Sequence, residues 1–339
     1  MSDLSALVRE IVCNEKIYKI WGHILEDEGV ESCKDSPFFD IVEYQKTVYE
    51  EEGYDPCQGG FHIGQPWNGD LKGASILFLS SNPGITLNSR CPRYHVKDEK
   101  FTWYGQGTEE VSLEGIEDFF NNRFYKELFL EGKNELPSMS VRIKDTKDIN
   151  GKKIIDEKSN EHPKPYGVPF WNGIRDIARN LLPKEMSVPG DQDKESYIKN
   201  VMKHVVSTEI VPFVSMKEKG VNTRVIDKCW DSWTKKILDN SRAPVFILTG
   251  AKVKDKFLRI LKTHVSPEEK AIAEKAFNYN HPGIYEYRTE TRPEPRYVVA
   301  VRHPSAYGKY KALPLEKFFS KETLHRLREK IADSVKNAQ

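Results

Sequence analysis

Three polar side chains follow short apolar stretches and carry the functional groups that hydrolysis of a bond requires. Asn82 lies in S-S-N-P-G, Glu209 in T-E-I-V-P-F and His303 in R-H-P-S. A carboxamide can orient a water molecule, a carboxylate can accept hydrogen bonds, and an imidazole can donate one to a leaving group. The same residue types also stabilise turns and cap strands, so their chemistry depends on whether the fold brings them together.

Four apolar stretches predict the strands that would position these residues. They open the segments 75–84, 205–215, 244–250 and 297–305. Each is short enough for a strand buried on both faces, and segments long enough for helices separate them. This order predicts an α/β fold, a three-layer α/β/α sandwich with a central, mostly parallel four-stranded sheet. Parallel strands place their like ends at one edge, where ligands bind, so one cleft would collect the three side chains.

The remaining segments divide the chain into three parts. Residues 1–70 are predicted to be an N-terminal helical and loop extension, residues 71–320 the α/β domain, and residues 321–339 a C-terminal helix or tail. Two segments of the domain, near 131–166 and 263–296, are predicted to be insertions.

The composition excludes several classes of protein. A chain of 339 residues, 38% hydrophobic and 30% charged, is expected to be globular. It lacks the run of about 20 apolar residues that a membrane helix needs and a leader-like N-terminus, so we expect no membrane association and a cytoplasmic location. Five widely spaced cysteines without a C-x-x-C pair argue against disulfides and against a metal site. Without a Walker-type loop or a G-x-G-x-x-G fingerprint, we expect no cofactor and no nucleotide. We further expect a monomer.

The S-N-P-G and R-H-P-S elements resemble the first and second motifs of the uracil-DNA glycosylase superfamily, in its Asn-Pro-Gly and His-Pro-Ser branch. An L-T-G strand ending before an amphipathic helix and a helix that opens with Phe170 and Trp171 also match that family's layout. The resemblance covers about residues 71–320. It implies a monofunctional DNA glycosylase, which flips a base out of DNA and hydrolyses its N-glycosidic bond to leave an abasic site.

The resemblance also implies a role for each motif residue. Asn82 would orient the attacking water, and His303 would donate a hydrogen bond to the base O2 as negative charge develops on the departing base. Backbone N–H groups around Gly84 would cradle the base or a phosphate. Tyr94 would stack on the flipped base, and Tyr307 would fill the hole left in the duplex.

Glu209 departs from the family pattern. Many members have an asparagine there, which reads N3–H and O4 of uracil. A carboxylate accepts hydrogen bonds but does not donate them, so Glu209 would repel O4 and accept from the N4 amino group of a cytosine. We therefore expect a cytosine-derived base, recognised by Glu209 together with Phe213. Glucosylated hydroxymethylcytosine of phage DNA is one such base, and the superfamily includes anti-phage glycosylases that remove hypermodified bases.

Contacts with the DNA backbone have to be local, because the formal net charge of the chain is only +1. The motif residues Ser81, Ser305 and Arg302 would contact DNA at the cleft. Two nearby lysines, Lys252 and Lys309, belong to local concentrations of positive charge and would add to this surface.

Several alternatives remain open from the sequence. The protein could remove uracil or a mismatched base in repair, hydrolyse a small nucleoside, or bind DNA without catalysis. Asn82 could serve only the turn, His303 could cap a strand, Tyr94 and Tyr307 could be packing residues, and Glu209 could make a structural hydrogen bond or salt bridge.

Overall fold

A computed structural model describes most of the chain, namely residues 4–51, 53, 55–81, 92–103, 109–126, 146–147, 153–154, 169–184, 200–213, 215, 218–280, 282–289, 292–303 and 315–336. The described helices are α1 (Leu4–Val12), α2 (Glu15–Glu26), α3 (Phe39–Glu51), α4 (Pro56–Gly59), α5 (Leu113–Lys126), α6 (Pro169–Leu181), α7 (Thr223–Cys229), α8 (Lys235–Asn240), α9 (Ala251–His264), α10 (Pro267–Ala276), α11 (Leu315–Phe318) and α12 (Lys321–Lys336). A 3₁₀ helix covers Val30–Cys33, and a π-helical turn joins α7 to α8 at Trp230–Thr234.

The strands form three sheets. In chain order they are β1 (Phe61–His62), β2 (Ile76–Ser80), β3 (Pro92–His95), β4 (Lys100–Trp103), β5 (Thr146–Lys147), β6 (Lys153–Ile154), β7 (Val205–Glu209), β8 (Val245–Thr249), β9 (Tyr285–Thr289) and β10 (Arg292–Val301). The largest sheet has the order β7-β2-β8-β10-β9, and β1-β3-β4 and β5-β6 form two small sheets.

The central sheet confirms the prediction of a mixed α/β fold with parallel strands and corrects its size. β7, β2, β8 and β10 are parallel neighbours, as the four apolar stretches predicted. A fifth strand, β9, pairs antiparallel with β10 at the edge. It lies in the 263–296 segment, which we predicted to be an insertion and which also contains α10. Its Y-E-Y-R-T sequence buries Tyr285 and Tyr287 in alternation, the usual pattern of a half-covered edge strand.

Successive residues of the central strands enter two separate apolar clusters, because side chains alternate between the faces of a sheet. Ile76 and Phe78 of β2 belong to a cluster with α6 and α12, whereas Leu77 and Leu79 belong to one that includes α9. The second cluster also holds buried residues of α7, α8, α10 and the N-terminal helices. Helices therefore cover both faces of the sheet.

The N-terminal residues form helices that share the core of the α/β unit. Leu7, Ile11 and Trp21 are fully buried in the same cluster as α9. The segment that follows α4 runs beside β7, where Asn68 and Ser207 exchange backbone hydrogen bonds of 2.7 and 2.9 Å. This pairing covers the β7 edge of the sheet, which would otherwise expose unpaired backbone groups.

Helix α9 brings two lysines to the carboxyl edge of the sheet. Val253 and Phe257 face the core, and the preceding residues Lys252 and Lys256 form a second pair at i, i+4 spacing. Gly250 stands at the start of the helix with φ +98° and ψ 167°, a conformation that residues with a side chain rarely adopt. The turn from β8 into α9 therefore depends on glycine.

Candidate functional site

The carboxyl ends of the four parallel strands meet at one edge of the sheet. Ser80 at the end of β2 pairs with Glu209 at the end of β7, and Thr249 at the end of β8 pairs with Val301 at the end of β10. His303 follows β10 by two residues. The predicted meeting of strand ends thus brings Ser81, Glu209 and His303 to the same edge. Asn82 and Gly84 follow Ser81 in the chain and lie outside the described residues.

Buried hydroxyl groups tie these strand ends together. Thr249 Oγ1 donates to the backbone oxygen of Leu79 at 3.0 Å and lies 2.9 Å from Ser80 Oγ. Beyond the end of β7, the N–H groups of Ile210 and Val211 donate to the carbonyls of Ser80 and Ser81, each at 2.9 Å. These bonds fix the backbone up to Ser81, directly before the predicted catalytic asparagine.

Glu209 is a nearly buried carboxylate, with 9% of its surface exposed. The flanking backbone is held by Thr208, whose hydroxyl donates to the Pro66 carbonyl at 2.7 Å, and by Thr234, whose hydroxyl donates to the Ile210 carbonyl at 2.8 Å. The negative charge of Glu209 acts to raise the pKa of Lys256, which places the two groups within electrostatic reach. The site therefore contains a nearly buried carboxylate whose flanking backbone is held by hydrogen bonds and whose charge acts on Lys256.

His303 is close to Gly250, the residue before α9. A Cβ atom added to Gly250 would come 3.3 Å from His303 Cβ and 3.5 Å from its Cδ2. One side of the imidazole stays exposed, while burial against the protein lowers its pKa below the ordinary value. The positive end of the α9 dipole also disfavours an imidazolium at this point. His303 is therefore a neutral imidazole at pH 7, which has one N–H to donate.

Two residues that the sequence reasoning did not assign to the site form an ion pair beside Ser81. Lys256 Nζ donates to Ser81 Oγ and, at 3.1 Å, to Glu218 Oε1. Lys252 Nζ lies 3.0 Å from Glu218 Oε2. The i, i+4 spacing of the two lysines after the L-T-G turn was the available signal for Lys256. Glu218 reaches the site from the loop after β7, and no sequence pattern marks it.

Two aromatic residues assigned to base recognition already pack against other aromatic rings of the protein. Phe213 is 1% exposed and packs edge-on against Phe38 and Trp233, with a centroid distance of 5.5 Å to each ring. Its assignment to base contact is corrected, because a ring sealed in the core has no face for a base. Tyr94 belongs to the small β1-β3-β4 sheet and stacks on Tyr18 at 3.8 Å, so one ring face is already occupied.

Of the residues assigned to DNA contacts, three are described. Arg302 is exposed beside His303, and Lys252 is exposed but pairs with Glu218. Ser81 is engaged with Lys256. Ser305, Tyr307 and Lys309 lie outside the described residues. Of the R-H-P-S motif, the structure describes only Arg302 and His303.

The described part of the chain contains no group of three or more His, Cys, Asp or Glu side chains placed to hold a metal ion. Within the same residues, no helix has the length and apolar character to cross a membrane. A scan against protein-family models finds no match for the chain, and a search of curated proteins finds none either. The resemblance to the uracil-DNA glycosylase superfamily therefore rests on the short motifs themselves.

Proposed function

We propose that the protein is a monofunctional DNA glycosylase that excises a flipped, cytosine-derived base and leaves an abasic site. The observation that carries this proposal is the position of Glu209 and His303 at the same edge of a parallel sheet. Ser81, which directly precedes Asn82, lies at that edge too. A buried acceptor and a neutral donor at the carboxyl ends of parallel strands suit the two sides of a nucleobase.

The spacing of the strands agrees with a ligand of that size. Three inter-strand steps separate β7 from β10, which corresponds to about 14 Å between the backbones of their ends. His303 lies against Gly250 at the end of β8, two inter-strand steps or about 10 Å from β7, so one ring system fits between the backbone at Glu209 and His303. A base extruded from DNA would fill that space.

Each residue has a distinct part in the proposed reaction. Glu209 accepts hydrogen bonds from the N4 amino group and so selects cytosine derivatives over uracil. His303 donates to the base O2, and this bond strengthens as the glycosidic bond breaks and the base becomes an anion. The N-terminus of α9 adds a positive potential at the same place. Asn82 orients the water that attacks C1′ of the sugar. A base such as glucosylated hydroxymethylcytosine would make phage DNA the target and anti-phage defence the role.

Excision from defined oligonucleotides tests the proposal. Duplexes with one glucosylated hydroxymethylcytosine, one hydroxymethylcytosine, one cytosine or one uracil are incubated with the protein, and abasic sites are revealed by alkaline cleavage. We expect cleavage only with modified cytosine. H303A should lose turnover and keep DNA binding, whereas the matched change H325A, at an exposed position on α12, should keep both.

Glu209 variants test base selection separately. E209N supplies both a donor and an acceptor, so it should reduce excision of the cytosine derivative and create excision of uracil. Wild-type excision of uracil with none from any cytosine derivative would refute the selection argument and leave a uracil or mismatch repair enzyme. Absence of abasic sites in every DNA would refute the glycosylase.

One observation favours a second candidate, a hydrolase acting on small nucleosides. The described lysines at the edge, Lys252 and Lys256, already pair with Glu218, which reduces the positive charge available to a DNA backbone. Release of a free base from a mononucleoside, measured by chromatography, would support this candidate. If the protein binds DNA and substitutions at His303 and at Glu209 leave its function unchanged, a non-catalytic DNA-binding module is indicated instead.

A further inference from the structure

One carboxylate at the carboxyl edge of the sheet is held by three partners. Lys252 contacts Glu218 Oε2 at 3.0 Å and Lys256 contacts its Oε1 at 3.1 Å. A hydrogen bond with Ser81 acts on the same carboxylate and helps to lower its pKa. Two ammonium groups and a hydroxyl therefore converge on the oxygens of one anion.

The charged side chains of this group differ in burial: Lys256 and Glu218 are sheltered, and Lys252 is exposed. The Lys256 side chain is 11% exposed and that of Glu218 is 20% exposed, whereas the Lys252 side chain is 69% exposed. Burial lowers the pKa of Lys256, and the adjacent Glu218 carboxylate opposes that effect. An anion is thus needed here to balance the sheltered charge of Lys256, and Lys252 leaves the site open to solvent.

The geometry points to a phosphate site: we propose that Ser81, Lys252 and Lys256 bind one backbone phosphate of DNA, and that Glu218 occupies this site in the free protein and leaves it when DNA binds. The identity of the polyanion rests on the proposed function. A phosphodiester and a carboxylate each carry one negative charge and offer two oxygens, so the exchange leaves the charge of the two lysines balanced. Glu218 therefore acts as an internal competitor of DNA.

The position of the site gives the exchange a consequence for the reaction. Ser81 directly precedes Asn82, and Glu209 interacts electrostatically with Lys256. A phosphate held by Ser81 and Lys256 would belong to a nucleotide at or next to the flipped one. The Glu218 backbone is held in a turn in which Val221 N–H donates to the Glu218 carbonyl at 3.1 Å, so the proposed withdrawal is a rotation of the Glu218 side chain alone.

The chain offers a matched control for removing the competing charge. Asp227 of α7 pairs with Arg259 of α9, the helix that also carries Lys252 and Lys256, at 3.0 Å, and both side chains are about half exposed. E218Q and D227N each remove one negative charge and break an ion pair to α9. Only E218Q removes its charge beside Ser81, at the proposed phosphate site. At about 0.1 M salt, where screening acts over about 10 Å, removing a charge far from that site changes DNA affinity little.

The experiment measures affinity for a fluorescent duplex of unmodified DNA by anisotropy. The proteins compared are wild type, E218Q, D227N, the double variant K252M/K256M and the triple variant K252M/K256M/E218Q. We expect E218Q to bind about five- to tenfold more tightly than wild type and D227N to change affinity by no more than about twofold. The gain from E218Q should disappear when both lysines are methionine. K252M alone, at the exposed position, should weaken binding even if loss of Lys256 impairs folding.

Three results would overturn the proposal: equal affinity of E218Q and D227N, weaker binding by E218Q, or a gain that persists without the lysines. Excision is measured separately on modified DNA. If excision occurs but E218Q and D227N bind alike, only the phosphate site fails. If no DNA is cut but E218Q gains affinity through the lysines, the glycosylase fails and the phosphate site stands. Absence of both DNA binding and excision refutes both.

Discussion

Replacing Gly250 with alanine tests the close approach of the β8–α9 turn to His303. Gly250 has φ +98° and ψ 167°, a combination that is almost restricted to glycine. An alanine there costs about 1–3 kcal/mol in backbone strain. Its Cβ would also stand 3.3 Å from His303 Cβ, so the imidazole has to shift by a few tenths of an ångström. We expect G250A to lose about 2–3 kcal/mol of the free energy of unfolding.

A second glycine serves as a control that has the backbone strain of a positive φ without a close contact to an added Cβ. Gly53 also has a positive φ, +74°, but an added Cβ would meet no atom within 4 Å. G53A should therefore cost about 1 kcal/mol, from the backbone alone. Urea unfolding followed by circular dichroism gives both values. G250A should also lower excision, because His303 moves, whereas G53A should not. Equal loss of stability in the two variants, or full excision by G250A, would refute the reasoning.

Two further predictions concern the sheet itself. Burial lowers the pKa of His204 to about 4, so between pH 6.5 and about pH 4 the unfolded state binds a proton that the folded state does not. Stability should therefore fall by about 1–2 kcal/mol on acidification through this window, and H204Q should show a smaller fall in urea unfolding at pH 7 and pH 4.5. T249V removes the hydroxyl that contacts Ser80 Oγ and the Leu79 carbonyl, and it should lower the free energy of unfolding by about 1–2 kcal/mol. T249S keeps a hydroxyl and should retain most of the stability. Equal losses in the two variants would contradict this role of the hydroxyl.

The parallel part of the sheet was predictable because its strands are buried on both faces. A strand covered by helices on each side is mostly apolar, so β2 and β8 stand out as nearly continuous apolar runs. β7 ends in Ser207, Thr208 and Glu209, and its signal is the β-branched residues Val205, Val206 and Thr208. β9 covers only an edge, and its alternating tyrosines occur among charged residues. Only alternate residues of β9 are apolar, so its pattern is weaker than that of a strand buried on both faces, and the segment was predicted to be an insertion.

The candidate site was predictable only where the sheet dictates it. Parallel pairing brings Glu209 and the end of β10 to one edge whatever the loops do. Phe213 lies four residues beyond Glu209, outside the strand, where alternation no longer tells which way a side chain points, and it faces the core. The pairing of Glu218 with Lys256 joins a loop to a helix 38 residues apart, and such a contact depends on the tertiary fold.

In the proposed enzyme, recognition of the base and stabilisation of its departure would lie at different strand ends. Glu209 ends the first strand of the sheet order, and His303 follows the fourth; the second and third strands, β2 and β8, are joined at their ends by the Ser80–Thr249 hydroxyl pair. If the two residues act independently, a change at Glu209 should alter which base is released, and a change at His303 should lower the rate for every base. In the proposed enzyme, a new base specificity would thus require substitution at the end of β7 while the donor at the end of β10 is kept. A double variant with E209N and H303A should show the multiplied losses of the single variants on modified cytosine, and coupling between them would indicate that the two residues act as one unit.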